Sequence, residues 1–149
     1  MEWTVPAALV RAAAQHEAAA ALVQPDGPRL TYRELHDQCV TVARSLLALG
    51  VRAGDRIGIW APNTWHWVLA ALGGSFAGGV LVPINTRYTG PEALDVLVRS
   101  GVRVLFVAGP FLGTDRLTQL RAAAERAGVE VPGRVVVIPV EEATGTGAD

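Results

Sequence analysis

The sequence predicts an α/β fold, with a parallel sheet flanked by helices on both faces and a small N-terminal helix and hairpin ahead of it. Two observations carry this expectation. From Asp55 onward, strand-like and helix-like segments alternate as β-α-β-α-β-α-β with short connections. The strand segments Ile57–Trp60, Val80–Val82 and Val102–Val107 are largely apolar rather than alternating, the pattern of strands covered on both faces. Each crossover is expected to be right-handed. At 149 residues the chain has the length of one domain and can bury a core. The folded unit is expected over residues 1–140, with 141–149 as a flexible tail.

Each element has a local reason. Thr4 is placed to cap a first helix, Pro6 is tolerated in its first turn, and Leu9, Val10, Ala13 and Ala14 form its apolar side until it fades near Glu17. Ala20–Val23 and Arg29–Thr31 flank Pro25-Asp26-Gly27-Pro28, a turn between two short strands. Thr31-Tyr32-Arg33-Glu34 is a capping box. Behind it Leu35, Cys39, Val42, Leu46 and Leu49 form one stripe of a helix that Gly50 closes. Ile57–Trp60 is a buried strand, and Asn63 or Thr64 caps a helix ending near Gly78. Val80–Val82 is a further buried strand, stopped by Pro83. Thr89-Gly90-Pro91-Glu92 opens a helix with Leu94, Val98 and Leu97 inward, ending at Gly101. Val102–Val107 is a strand, Thr114 or Asp115 starts a helix through Leu117, Leu120 and Ala124 to Gly128, and Val135–Ile138 is the last strand.

Composition narrows the function classes. Half the residues are hydrophobic and the formal net charge is -1, so no basic excess favours nucleic acid or an acidic membrane. All 13 basic residues are arginine, which excludes a Walker A loop, a Schiff-base lysine and a lysine general base in this chain. One cysteine, Cys39, rules out an internal disulfide and a multi-cysteine zinc site. The start of the chain lacks the basic and apolar regions of a secretory signal, and a cytoplasmic location is expected. The uncharged stretch between Arg56 and Arg87 is broken by Pro62-Asn63 and Gly78-Gly79. The helix between those breaks, about 14 residues, reaches about 21 Å against the roughly 30 Å of a bilayer core, so no membrane span is expected.

No catalytic constellation emerges, and no catalytic, cofactor-binding or metal-binding residue is assigned. His16, His36 and His66 lie on separate helices; His36 and Cys39 are one turn apart but lack third and fourth metal ligands. Glu34 with Asp37 reads as a cap and a solvated face, and Glu141 with Glu142 as tail. No Gly-x-Ser-x-Gly elbow is present. Gly145-Thr146-Gly147 precedes no helix within the sequence, and Gly73-Gly74 and Gly78-Gly79 suit close packing and a helix C-cap better than a phosphate loop. Trp60, Trp65 and Trp67 cluster around the Pro62-Asn63 turn with His66; they line a ligand crevice or serve as core and interdomain contact, and the structural reading is favoured. For Asn85, Arg87 and Tyr88 loop bracing is favoured over binding, Asn85 through its amide and Arg87 by tying down carbonyls or a carboxylate.

Several segments in order resemble the N-terminal part of the adenylate-forming acyl-CoA synthetases. They are Leu30–Leu35 (L-T-Y-R-E-L), Gly54–Ile57 (G-D-R-I), Ala61-Pro62-Asn63, Ala77–Tyr88 (A-G-G-V-L-V-P-I-N-T-R-Y), Glu92-Ala93-Leu94 and Arg103–Val107. Trp60–Trp67 further resembles actinobacterial synthetases that activate steroid-ring propionates. The resemblance implies a family that couples a carboxylate to ATP, forms an acyl-adenylate and passes the acyl group to CoA, using ATP, Mg2+ and CoA. It also implies a Ser/Thr/Gly-rich phosphate loop ending in Pro-Lys-Gly and a lysine on a mobile C-terminal domain. Neither is in this chain, which stops about where the loop is expected to begin. Two main readings follow: a truncated synthetase part, non-catalytic alone, whose partner is the missing remainder, or a free-standing binding or complementation module, with a homodimer partner as one form of it; a third and weaker one is a flavodoxin-like nucleotide binder, for which no phosphate loop is visible. The first is favoured.

Overall fold

Thr4 opens helix α1 (Val5–Gln15), its hydroxyl accepting the Ala7 amide at 3.2 Å. The structure, a computed structural model, describes residues 3–140, so the expectations for Glu141, Glu142, Gly145–Gly147 and the tail over 141–149 fall outside the described residues. Strands β1 (Ala20–Val23) and β2 (Arg29–Thr31) pair antiparallel. Their turn places Asp26 at φ 55°, a left-handed conformation that Asp tolerates better than most residues. Helix α2 (Tyr32–Ala48) begins at the predicted capping box: Glu34 N donates to the Thr31 hydroxyl at 3.2 Å and Thr31 N donates to the Glu34 carboxylate at 2.8 Å. Leu9, Leu30, Leu35, Cys39 and Leu69 close a small core beneath the hairpin.

The alternating run follows as β3 (Arg56–Trp60), α3 (Trp65–Phe76), β4 (Val80–Pro83), α4 (Gly90–Ser100), β5 (Val102–Ala108), α5 (Arg116–Ala127) and β6 (Arg134–Ile138). The four strands form one parallel sheet in the order β4-β3-β5-β6. Successive residues of β5 serve opposite faces: Val104, Phe106 and Ala108 join a core with Ala43, Leu46, Ala70 and Ala71 of α2 and α3. Leu105 and Val107 join a second core with Leu94, Leu97, Leu120 and Ala124 of α4 and α5. Both faces are therefore covered, as the apolar strands predict. Gly73 lets α2 and α3 approach closely: a Cβ there would lie 2.5 Å from Val42 Cγ1 and 2.6 Å from Val42 Cβ.

Three expectations need correction. Val80–Val82 is not a fully buried strand but the sheet's edge: Val80 is 50% exposed, and Pro83, lacking a donor, is tolerated there. In α4 the buried stripe runs through Ala93, Leu94 and Leu97, and Val98, one residue and about 100° further round, is 50% exposed. In α1 only Leu9 is buried, and Val10 and Ala14 face outward, because the helix meets its neighbours along one narrow line. No helix among the described residues is long and apolar enough to cross a membrane; α3 has 12 residues.

Candidate functional site

The strand order reverses at β3. The chain steps from β3 to β4 on one side and then to β5 on the other. In open parallel sheets the crevice beyond the strands' C-terminal ends at such a reversal is the common ligand position. Here that edge carries the loops after Trp60, Pro83 and Ala108, and so the tryptophan cluster and the Ile84–Tyr88 loop.

Trp60 is fully buried against α4 and α5, and its indole Nε1 donates to the Asn85 carbonyl at 3.0 Å. That bond satisfies a polar group that burial would otherwise strand. Asn85 braces the loop as predicted: its Oδ1 accepts the Arg87 amide at 3.0 Å and its carbonyl also accepts the Tyr88 amide at 3.0 Å. Arg87 does not tie down the loop; its side chain makes no hydrogen bond or ion pair among the described residues. That role falls to Arg116, unremarked in the sequence, whose Nη2 donates to the Thr86 carbonyl at 3.3 Å. Arg116 is 8% exposed, and its Nε and Nη1 are buried without a partner among the described residues. A cation at the first position of α5 sits at the positive end of a helix, the one available hint that it serves tertiary structure.

Trp65 and Trp67 stand apart from Trp60. They border an open hollow of about 430 Å³ between the hairpin turn and the start of α3, with Leu22, Gln24 and Asn63. The Trp65 and His66 rings lie 3.8 Å apart. Thr64 precedes α3 but does not cap it through its side chain, and its hydroxyl is buried without a partner among the described residues. Gln24, far away in sequence, takes the role: its Oε1 accepts the Trp65 amide at 2.8 Å. This bond ties the hairpin to the sheet domain.

The helix N-termini at this edge are spoken for by the chain itself. Glu92 accepts the amide and the hydroxyl of Thr89, each at 2.8 Å, ahead of α4. Asp115 accepts the Thr118 amide at 3.1 Å and its hydroxyl at 2.8 Å at the start of α5. These bonds, from the backbone first, hold both carboxyls below their ordinary range. An N-terminus already carrying a carboxylate repels a phosphate. The starts of α4 and α5 therefore do not fit the phosphates of a nucleotide, and no chemical step is assigned to this edge.

The other candidates stay separate. His36 Nδ1 lies 3.0 Å from Asp37 Oδ1, and its ring meets Phe76 edge-on at 5.7 Å. Cys39 is 0% exposed, and burial pushes its thiol up to about 11, the state of an unreactive core residue. The His16 and Tyr32 rings lie 6.5 Å apart. No group of three or more His, Cys, Asp or Glu among the described residues is placed to hold a metal ion.

An open four-stranded parallel sheet flanked by helices on both faces defines an α/β domain of the doubly wound kind. The comparisons say which one. The family model described as AMP-binding enzyme matches residues 9–147, and the chain belongs to that family. It is 49% identical over 143 residues to the 3-[(3aS,4S,7aS)-7a-methyl-1,5-dioxo-octahydro-1H-inden-4-yl]propanoyl:CoA ligase of Mycobacterium tuberculosis, covering 96% of this chain and 27% of that protein. The ligase of the same name from Rhodococcus jostii is 49% identical over 138 residues, covering 93% of this chain and 26% of that protein. The chain thus spans about a quarter of the length of these curated relatives. Among solved structures, the anthranilate CoA ligase AuaEII superposes with a TM-score of 0.79 at 27% identity, over 91% of this chain and 25% of its own. A Mycobacterium tuberculosis fatty acyl CoA synthetase gives 0.76 at 30% identity, over 91% and 26%. The relatives are acyl-CoA ligases, and this chain corresponds to an N-terminal fragment of them.

Proposed function

We propose that the chain is the N-terminal scaffold of an acyl-CoA synthetase that activates a carboxylate on a fused-ring substrate, and that it does not catalyse by itself. The whole enzyme would use ATP, Mg2+ and CoA, and act in the cytoplasm. The observation that carries the non-catalytic reading is the state of the helix ends: the Trp65 amide is bonded to Gln24, and Glu92 and Asp115 occupy the next two N-termini. With no lysine in 149 residues, the lysine that the family resemblance implies for stabilising charge on the transferring phosphates must come from outside this chain. The substrate class follows from the names of the relatives at 49% identity, which carry a propanoyl group on a bicyclic dione.

The partner is the remainder of the synthetase. An almost wholly apolar groove of about 200 Å³ runs along the sheet face between α3 and β6, lined by Val42, Leu69, Ala70, Phe106, Val136 and Ile138. Docking the remaining subdomain there would remove this surface from water. The test is ATP-dependent CoA ligation of the bicyclic propanoate, followed by AMP release. The 149-residue chain alone is expected to be inactive, and co-expression with the C-terminal three-quarters of a relative is expected to restore turnover. Ligation by the chain alone overturns the proposal.

A further inference from the structure

The opposite edge of the sheet, where the strands begin, is built differently. Arg56, Arg103 and Arg134 stand on the neighbouring strands β3, β5 and β6. The register pairs Arg56 with Val102 and Arg134 with Val104, with an irregularity between, so Arg103 lies one residue from each of those partners at the same end of the sheet. Together with Asp55, Gly101 and Gly133, the three arginines line a notch of about 460 Å³.

Internal partners account for only one of them. Arg56 donates from Nε to the Ser100 carbonyl at 2.8 Å and from Nη2 to the Gly101 carbonyl at 3.0 Å, closing the C-terminus of α4, where a cation complements the helix dipole. The carboxylate lining the notch, Asp55, accepts the Arg52 amide at 2.8 Å. The side chains of Arg103 and Arg134 make no hydrogen bond or ion pair among the described residues. The wall between them is backbone: Gly133 has φ +80°, and a Cβ there would lie 2.8 Å from the Val102 carbonyl oxygen. Three guanidiniums against one carboxylate leave an excess of two positive charges in a concave site.

We propose that this notch binds a multivalent oxyanion of the phosphate class, held by Arg103 and Arg134 over an Arg56 already fixed in place. Two unengaged guanidinium forks favour an acceptor with several oxygens and two or more charges over a monovalent carboxylate. Such a ligand would also offset the excess positive charge of the notch. The inference is independent of the synthetase reading, since it concerns the edge of the sheet away from the helix N-termini, and loss of ligation activity would leave it standing.

The experiment is calorimetric titration and thermal unfolding of the 149-residue chain with inorganic pyrophosphate, with ADP as a second arm, each against chloride at equal ionic strength. A saturable rise in Tm is expected with pyrophosphate. An equal response to ADP means that a nucleotide-borne diphosphate serves as well as the free anion. The double variant R103Q/R134Q is expected to bind at least about tenfold more weakly, while R29Q on the hairpin behaves as the parent. Near-UV circular dichroism of the buried Trp60 establishes that the variants are folded. Equal responses of parent and double variant, or no effect of pyrophosphate beyond that of chloride, would overturn the proposal.

Discussion

Gly73→Ala tests a close approach between helices, the crossing of α2 over α3. The new methyl would lie 2.6 Å from Val42 Cβ, 2.5 Å from Val42 Cγ1 and 3.2 Å from the Cys39 carbonyl oxygen. Rotating Val42 moves Cγ1 but not Cβ, whose position the backbone fixes. The helices must therefore separate by about 0.8 Å to restore an ordinary contact, loosening the packing around Cys39 and Leu69. Overpacking of this kind costs about 1–3 kcal/mol, and a shift of helix backbones belongs at the upper end. Replacing Gly by Ala inside a helix returns about 1 kcal/mol of propensity. The net expectation is a loss of about 2 kcal/mol, or a Tm lower by roughly 7 °C, read by urea and thermal unfolding. Val42→Ala in the same chain removes the clashing Cγ atoms, and the double variant is expected to recover at least about 0.5 kcal/mol relative to additivity. If Gly73→Ala is as stable as the parent, the helices are not in the close contact described.

Three further perturbations address the site and the core. Trp60→Phe removes the bond to the Asn85 carbonyl and is expected to cost about 2 kcal/mol and to speed tryptic cleavage after the exposed Arg87, read by limited proteolysis. Arg116→Met replaces a buried cation with two unpartnered donors and is expected to leave Tm unchanged or to raise it by the equivalent of about 1 kcal/mol; a large loss would mean that the Thr86 contact outweighs desolvation. For Cys39 the folded thiol, pushed up to about 11, stays protonated where the unfolded thiol ionises near pH 9. Stability is therefore unaffected by this group below about pH 8.5 and falls as pH rises from there towards 11, a slope that Cys39→Ala removes.

The local signals of the sequence are carried mainly by residues whose role is decided within a few positions. The Thr31–Glu34 capping box, the Leu35–Cys39–Leu46 stripe and Asn85's bond to the Arg87 amide are all of that kind. What was not legible depends on neighbours distant in sequence. Val80 reads as a buried strand residue because its composition is that of one, yet β4 lies at the edge, and nothing in a linear pattern distinguishes an edge from a centre when both are apolar. Val98 fails for a related reason: with Leu94, Leu97 and Val98 all apolar, periodicity allows several stripe centres, and the position of α5 decides among them. Gln24 capping α3 and Arg116 reaching Thr86 are contacts over 41 and 30 residues, to which turn and capping rules are blind.

The two edges of the sheet place opposite demands on a partner. At the C-terminal edge, Gln24, Glu92 and Asp115 satisfy donors that in many parallel folds are left for a ligand. An enzyme built on such an edge must bring its phosphate receptors from elsewhere, which agrees with a family match in which this chain is about a quarter of its relatives' length. At the N-terminal edge, the side chains of Arg103 and Arg134 have no partner among the described residues, whereas the exposed Arg33 and Arg99 find the carboxylates of Glu17 and Asp95. If the notch merely tolerated its charges, R103Q/R134Q without added anion would be more stable than the parent, and pyrophosphate would not narrow the gap. If the notch is a site, pyrophosphate stabilises the parent selectively and closes that gap. Comparing the two proteins with and without the anion separates charge tolerance from recognition.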